Sequence, residues 1–469
     1  MKPAMLLAAV SLFLSGMAGG GTAAPGRVQD APSPAFEISV SDGKEGSVYR
    51  LGEECVFKLG ARALTAEGIP RDGVVKVIVD NFGDRVFMTR DWKPAEEPVL
   101  ELKCTMDEPG FLRLKAMARP RPAGLCWALG KGNKCWSVAY EPERIKPGSK
   151  RPADFDAYWD GERARLAREV PPDVRVERVD WMCDGDFEVW KVSAATFSGK
   201  RTWGFLAEPV DKSGGPYPLH VNVPGAGPAL SEAGMKAFKR KGEINLVVNV
   251  HPYEPARDAE GQNALYKAQD AACAKKYGCN YAIAGGAVSR EEFFFHDALL
   301  GIDRVVSWAV ARSNVDRGNV RYSGGSQGGG MGIALCALNK SIRRACFLVP
   351  ALTDLCGFRA GRQSGWPLLV ERQKNPAAKA AAEALAPYFD AAHFAPRVDI
   401  PLRVEIGFAD TTCPPPCVYS AYNAFGSSDK GIRHAIGCGH SGSREIRGEL
   451  AAWLRAPEGR QGRASSERH

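Results

Sequence analysis

The stretch YSGGSQGGG constrains the fold of this chain more than any other. Gly324, Ser326 and Gly328 give it the spacing G-x-S-x-G. A short apolar run, 320–322, precedes it and a helix-like run, 331–338, follows it. A strand, a tight turn and a helix in this order are typical of a nucleophile elbow, which presents a serine at the turn. Because the chain contains 51 glycines, an ordinary glycine-rich loop is the alternative interpretation.

Strand-like and helix-like segments alternate on both sides of this stretch. Four segments look like buried strands: Leu219–Val223, Ile244–Val250, Ala345–Val349 and Leu402–Ile406. A capping box of Ser289 and Glu292 predicts the start of a helix whose apolar residues share one face. Repeated units of this kind predict an α/β fold, in which a mostly parallel sheet carries helices on both faces.

Residues 36–140 show a different pattern. Short segments with period-two alternation are separated by Gly, Pro and Asp turns, as in Cys55–Leu59 and Val99–Cys104. This pattern predicts a small all-β sandwich, immunoglobulin-like in size, in front of the α/β part. A linker rich in Pro, Lys and Gly follows, so that a second domain is expected over 150–455.

Both ends of the chain carry other signals. Residues 1–24 have Lys2, an apolar run and small residues, which is typical of a secretory signal peptide; a retained anchor is the alternative. We therefore expect a secreted or periplasmic protein with no membrane segment after cleavage. A disordered tail is expected over 456–469. The net charge of +8 is too diffuse to indicate nucleic-acid binding.

Export permits disulfides, and the chain has 13 cysteines, so at least one thiol must stay free. The candidate pairs are Cys55 with Cys104, Cys126 with Cys135, Cys273 with Cys279, and Cys413 or Cys417 with Cys438. No Cys/His cluster has zinc spacing, so no metal is expected.

A serine nucleophile needs a histidine base, and the base needs a carboxylate that orients it. Of seven histidines, His440 lies in a glycine-containing loop just after the last predicted strand. The acid is expected after the strand that ends near Ile406, where Asp410 stands. Asp354, after the preceding strand, is the alternative acid, and Asp429 is interpreted as a turn residue.

Acyl transfer also needs N–H donors for the oxyanion of the tetrahedral intermediate. One is expected to be the backbone N–H of Gln327, at the start of the helix after the serine. The other is expected from Ala226, between two glycines in the loop after Val223. A simple turn is the alternative for that loop. In the insertion 351–397, Trp366 is a candidate for stacking against a sugar, and a packing role is the alternative.

The chain resembles the acetyl xylan esterase and cephalosporin C deacetylase family of α/β-hydrolases. The resemblance covers roughly residues 150–455 and rests on Gly324–Gly329, Asp410–Pro415, Ala421–Asn423, Pro152–Trp159, Tyr388–Asp390 and His393–Ala395. It implies an α/β-hydrolase fold and a triad of Ser326, Asp410 and His440. Departures are Glu260 in the family's Arg-Gly-Gln motif, Ser441 after the histidine, and Ala226 where an aromatic residue is usual.

The expected function is removal of acetyl or other small acyl groups from a polysaccharide or oligosaccharide such as acetylated xylan, without a cofactor. The expected partner is the acetylated carbohydrate, and the oligomeric state is left open. Another carboxylesterase or an oligopeptidase on the same fold is one alternative. A carbohydrate-binding protein without catalysis is another.

Overall fold

A computed structural model describes residues 36–119 and 133–457. The expected signal peptide, Cys126 and nearly all of the expected C-terminal tail lie outside these ranges. The N-terminal part consists of short strands: β1 (Phe36–Ser41), β2 (Val48–Tyr49), β3 (Cys55–Ala63), β4 (Val74–Asp80), β5 (Val86–Trp92), β6 (Val99–Cys104), β7 (Gly110–Arg119) and β8 (Asn133–Tyr140).

These strands form two sheets around one apolar core. The first sheet has the order β1-β3-β6 and the second the order β2-β8-β7-β4-β5. Neighbouring strands are antiparallel, except that the short β2 runs parallel to β8. The alternating residues that the sequence marks as apolar point inward, among them Phe57 and Val77. Burial of that one face explains the period of two.

The second part is built on a long mixed sheet. Its strands are β9 (Arg175–Arg178), β10 (Phe187–Ala195), β11 (Arg201–Pro209), β12 (Tyr217–Val223), β13 (Ile244–Val248), β14 (Val315–Gly325), β15 (Arg344–Leu348), β16 (Leu402–Gly407) and β17 (Lys430–Ala435). Within the described residues their order is β17-β16-β15-β14-β12-β13-β11-β10-β9. From β13 to β17 neighbours are parallel, while β9, β10 and β11 pair antiparallel.

Helices cover the sheet. They are α1 (Phe155–Glu169), α2 (Ala259–Tyr277), α3 (Phe294–Val310), α4 (Gln327–Leu338), α5 (Pro376–Phe389), α6 (Ala391–Phe394), α7 (Pro415–Ala424) and α8 (Arg444–Arg455). Strand β15 shows that both faces are used, because Phe347 belongs to the main core whereas Cys346 and Leu348 pack against α8. None of the helices in the described ranges has the length and apolar character needed to cross a membrane.

The main core of the second part extends into the N-terminal part. Phe82 and Phe111, from the N-terminal strands and their loops, belong to the same buried cluster as the helices around the large sheet. The ring of Phe111 meets that of Phe408 edge to face, with centroids 5.3 Å apart. Phe408 follows β16 directly, so the N-terminal part touches the loop that holds the expected acid.

The predicted capping box is wrong as a helix start. Helix α3 begins at Phe294, and its first turn has no side-chain cap from the preceding residue. Ser289 does accept a hydrogen bond from the backbone N–H of Glu292, but in a turn ahead of the helix. The first residue of the helix, Phe294, donates its backbone N–H to the carbonyl of Ala284 at 3.0 Å.

The expected disulfides are not present: every cysteine in the described ranges is a free thiol. Cys55 and Cys104 do lie directly opposite each other on β3 and β6, as the alternation predicts. The Cys273 thiol accepts a hydrogen bond from Gln269 at 3.4 Å. The Cys417 thiol donates to the carbonyl of Gln363 at 3.1 Å, which directs it into the protein rather than toward a second thiol.

Candidate active site

Ser326 lies at the turn between β14 and α4, as the glycine pattern predicts. Its backbone has φ 53° and ψ −121°, a conformation that L-residues rarely adopt. Two hydrogen bonds hold the turn: the Ser326 N–H donates to Leu348 at 2.8 Å, and its carbonyl accepts from Ala351 at 2.9 Å. These contacts over-determine the strained backbone, so the hydroxyl is presented from a fixed position.

His440 connects the serine to a carboxylate. Its Nε2 lies 2.9 Å from the Ser326 hydroxyl oxygen, and its Nδ1 lies 2.8 Å from a carboxylate oxygen of Asp410. Because a carboxylate accepts, Nδ1 carries the hydrogen and Nε2 presents a lone pair to the serine O–H. This arrangement can accept the serine proton and stabilise the imidazolium that results.

Asp410 is fully buried, and its two oxygens have separate partners. One oxygen accepts from the backbone N–H groups of Thr412 and Cys413, at 2.8 and 3.0 Å. The other faces His440. The amides that begin the next turn therefore orient the carboxylate, and the side chain does not depend on water to satisfy it.

Glu405 supports the loop of His440 and is a residue that the sequence did not single out. It is fully buried on β16, where it accepts from the Ser443 N–H at 2.6 Å and from the Arg447 guanidinium at 2.8 Å. These contacts attach the start of α8 to the central sheet. The available signal was an acidic residue inside an otherwise apolar strand, since buried carboxylates need partners.

The two expected oxyanion donors belong to segments that meet at the serine turn. Gln327 is the first residue of α4, where backbone N–H groups have no partner within the helix. The loop after β12 packs against the turn: a Cβ built on Gly225 lies 3.6 Å from the Gly325 carbonyl and 3.9 Å from the Ser326 Cβ. Ala226 follows in that loop and is partly exposed.

The model of the acetyl xylan esterase (AXE1) family matches residues 140–456. The chain belongs to this family. The protein is therefore a carboxylic ester hydrolase with an α/β-hydrolase fold, and both predictions are confirmed. The match begins where β8 ends, so the N-terminal strands lie ahead of it.

Several named proteins are similar to this chain. Acetyl esterase Axe7A of Xylanibacter ruminicola is 28% identical over 323 residues, which is 68% of each chain. The acetyl xylan esterase from Paenibacillus sp. R4 superimposes with a TM-score of 0.56 at 20% identity, covering 67% of this chain and 98% of that one. Acetyl xylan esterase 1 from Thermoanaerobacterium sp. JW/SL YS485 has a TM-score of 0.54 at 19% identity, with the same coverage. At these identities the solved structures show the fold alone.

In this esterase the alternative acids have other partners. Asp354 is buried and pairs with Arg362 at 2.7 Å, and it also accepts from the Gly148 N–H at 2.7 Å. Burial raises the pKa of Asp354, against the opposing charge of Arg362. Asp429 pairs with Arg403 at 2.8 Å on the protein surface. Neither carboxylate has a hydrogen bond or ion pair with His440.

Trp366 is packed, and its backbone binds the segment that follows the serine turn. Its carbonyl accepts from the N–H of Leu352, the residue after the Ala351 that contacts Ser326. Its ring meets Phe295 edge to face, with centroids 6.3 Å apart, and stays partly exposed. The packing role is therefore present, and the contact with a sugar stays a prediction.

Among the described residues, one group could offer three ligand atoms to a metal: Asp410, Cys413 and His440, whose ligand atoms lie within 4.8 Å of one another. The hydrogen bonds already present account for this clustering, because both nitrogens of His440 face other groups. Burial also raises the pKa of Cys413 well above its usual range, which disfavours the thiolate that metals bind.

Proposed function

We propose that this chain is an exported serine esterase that removes acetyl groups from an acetylated polysaccharide or oligosaccharide such as acetylated xylan. Membership of the acetyl xylan esterase family supports acetyl as the acyl group that is removed. The names of similar proteins support a carbohydrate as the substrate. The expected signal peptide supports export. The observation that carries the mechanism is His440, within hydrogen-bond distance of both Ser326 and Asp410.

The first half of the proposed reaction forms an acetyl-enzyme. His440 Nε2 takes the proton of Ser326 as the serine oxygen attacks the ester carbonyl. The carbonyl oxygen becomes an oxyanion, which the backbone N–H groups of Gln327 and Ala226 stabilise. When the intermediate collapses, the bond to the sugar oxygen breaks, and His440 gives its proton to that oxygen.

The second half releases acetate. His440 takes a proton from water, and the hydroxyl oxygen attacks the acetyl carbon. Collapse of this second intermediate breaks the bond to Ser326, whose oxygen recovers its proton from His440. Asp410 stays ionised throughout and stabilises the imidazolium.

The test measures acetate release from acetylated xylan and hydrolysis of p-nitrophenyl acetate, with the wild-type protein and Ser326→Ala. Removal of the nucleophile is expected to reduce kcat by roughly 10⁶-fold on both substrates. Activity that survives the substitution would overturn the mechanism. If the wild-type protein hydrolyses the small ester but no acetylated glycan, the proposed substrate class is wrong.

A further inference from the structure

The loop after β12 is held by side chains from outside it. His251, just after β13, is 1% exposed, and its Nε2 lies 2.8 Å from the carbonyl of Gly227. Because a carbonyl only accepts, this nitrogen carries the hydrogen. The next carbonyl, of Pro228, accepts from the hydroxyl of Tyr253 at 2.8 Å and from the amide of Gln262 at 2.7 Å.

Tyr281 joins the same loop to the turn of the serine. Its hydroxyl donates to the side-chain oxygen of Gln327 at 2.8 Å. The backbone N–H of Gly227 opposes the rise that burial causes in the pKa of Tyr281, so this amide lies near the phenol. Tyr281 is 2% exposed and Gln327 is fully buried, so the hydrogen bond between them is not exchanged with water. The phenol of Tyr281 therefore lies between Gly227, which follows Ala226, and Gln327, which follows Ser326.

The aromatic rings around His251 fix its orientation. Its ring stacks on Tyr253 with centroids 5.0 Å apart, and Tyr281 meets it edge to face at 4.7 Å. Burial lowers the pKa of His251 to about 4, so the ring is neutral near pH 7. The Gly227 contact places the hydrogen of the neutral ring on Nε2.

We propose that Tyr281 and His251 are positioning residues, which hold the backbone N–H of Ala226 opposite that of Gln327. This inference rests on the proposed oxyanion role of those two amides. Ala226 has a methyl side chain and cannot anchor its own loop, whereas the carbonyl of the next residue, Gly227, is held by His251. Preorganised donors stabilise an oxyanion far better than donors that must first be oriented.

The main test is Tyr281→Phe, which keeps the ring and removes the hydroxyl. We expect kcat on p-nitrophenyl acetate to fall by about 10- to 100-fold, because one donor is no longer held in place. KM should stay near the wild-type value. The affinity for phenylboronic acid should fall by a similar factor, because the Ser326 oxygen adds to its boron and forms a tetrahedral anionic adduct.

Tyr266→Phe is the matched control. Tyr266 belongs to the same group of rings, and its centroid lies 5.7 Å from that of Tyr281. Its hydroxyl has no hydrogen bond within the described residues, so its removal should leave kcat and boronate affinity unchanged. A loss of activity from general loosening of the rings would affect both variants alike.

A second pair of variants tests His251. His251→Gln places an amide N–H where Nε2–H donates, whereas His251→Leu fills similar space without a donor. We expect the Leu variant to lose kcat and boronate affinity as Tyr281→Phe does, and the Gln variant to recover most of both. Active-site titration with an organophosphonate normalises every rate to folded enzyme.

The outcomes separate the two proposals. Unchanged kcat and boronate affinity in Tyr281→Phe, or in His251→Leu if the first variant does not fold, would overturn the positioning role and leave the esterase mechanism intact. Esterase activity that survives in the Ser326→Ala variant would instead overturn the proposed function on which the inference rests.

Discussion

At the scale of single residues, the site depends on how Asp410 divides its two oxygens. Two backbone N–H groups hold one oxygen, and His440 holds the other. An amide in place of the carboxylate would keep the first contact and reverse the second, because its NH₂ group would face a nitrogen that should itself be a donor. The proposed base would then adopt the wrong tautomer.

Asp410→Asn is therefore expected to reduce kcat by about 10⁴-fold, the loss typical of a triad that keeps its geometry but not its tautomer. Asp354→Asn is the matched control, since it changes the other acid considered from the sequence. Asp354 pairs with Arg362, so its substitution should lower the melting temperature and leave kcat per titrated site near the wild-type value. An equal loss of kcat in both variants would contradict the assignment.

His393 is expected to affect the stability of the fold and its pH dependence. It is 3% exposed, its Nε2 lies 2.9 Å from the Ser149 hydroxyl, and burial lowers its pKa to about 4. An unfolded histidine titrates near 6.5. Between these values the unfolded chain binds more protons, so the contribution of His393 to stability is present above about pH 6.5 and is lost as the pH falls toward 4.

We expect His393→Gln to reveal this dependence, because glutamine can still bond to Ser149 and does not titrate. From pH 7 to pH 5 the free energy of unfolding of the wild type should fall by about 2 kcal/mol relative to the variant. Comparison of the two proteins removes the contributions of other titrating groups to the pH dependence. One such group is Asp390, whose pKa is raised to about 7 by burial. Urea unfolding at both pH values measures the difference, and parallel curves would contradict the prediction.

At the scale of elements, helix α4 is stabilised by tertiary packing rather than by the helix propensity of its residues. It has four glycines among its first six residues, which are poor helix formers, and every residue is buried. The glycines are needed because α4 begins very close to the end of β12. A Cβ on Gly328 would lie 2.0 Å from the carbonyl oxygen of Val223. The glycine lets the serine turn approach the loop that carries Ala226.

Gly328→Ala should therefore lower the free energy of unfolding by about 2–3 kcal/mol or more, because backbone atoms rather than a flexible side chain must move. The matched control is Gly161→Ala on the exposed surface of α1, where a Cβ meets nothing within 4 Å. The same substitution there should stabilise the protein by about 0.5–1 kcal/mol. Thermal unfolding of both variants tests the difference in sign.

The elements that the sequence predicts well are those with a strong apolar pattern. The parallel strands β12, β13, β15 and β16 were expected within two residues at each end, because they are buried on both faces. Strand β14 is longer than the apolar run 320–322 that marks it. Helix α2 was not expected, since Gln262 and Cys273 are its buried residues and no apolar stripe marks it. The start of α3 was misplaced because a turn used the capping residues.

The residues of the candidate site also divide into those that a sequence pattern marks and those that it does not. Ser326, Asp410 and His440 could be selected because strand order limits where each must stand, and the structure brings them together. Glu405, Tyr281 and His251 act through contacts between segments distant in the chain, which no local pattern encodes. The cysteine pairs failed for a related reason, since two residues in phase on neighbouring strands are not thereby bonded.

At the scale of the molecule, the N-terminal strands touch the loops of the proposed acid and base. The hydroxyl of Ser137 donates to the carbonyl of Phe408, two residues before Asp410. The ring of Trp136 lies against Gly437, three residues before His440: a Cβ there would be 2.6 Å from the ring. We therefore expect this sandwich to support the catalytic loops rather than to act only as a spacer.

Phe111→Ala tests this expectation, because Phe111 is fully buried against Phe408. Phe57→Ala is the matched control: Phe57 is equally buried, but within the core of the sandwich itself. Each substitution should cost about 3–5 kcal/mol of stability. Because small displacements of catalytic groups are costly, Phe111→Ala should also lower kcat per titrated site by at least about 10-fold, and Phe57→Ala should not. Equal kcat in the two variants would show that the sandwich is only a spacer.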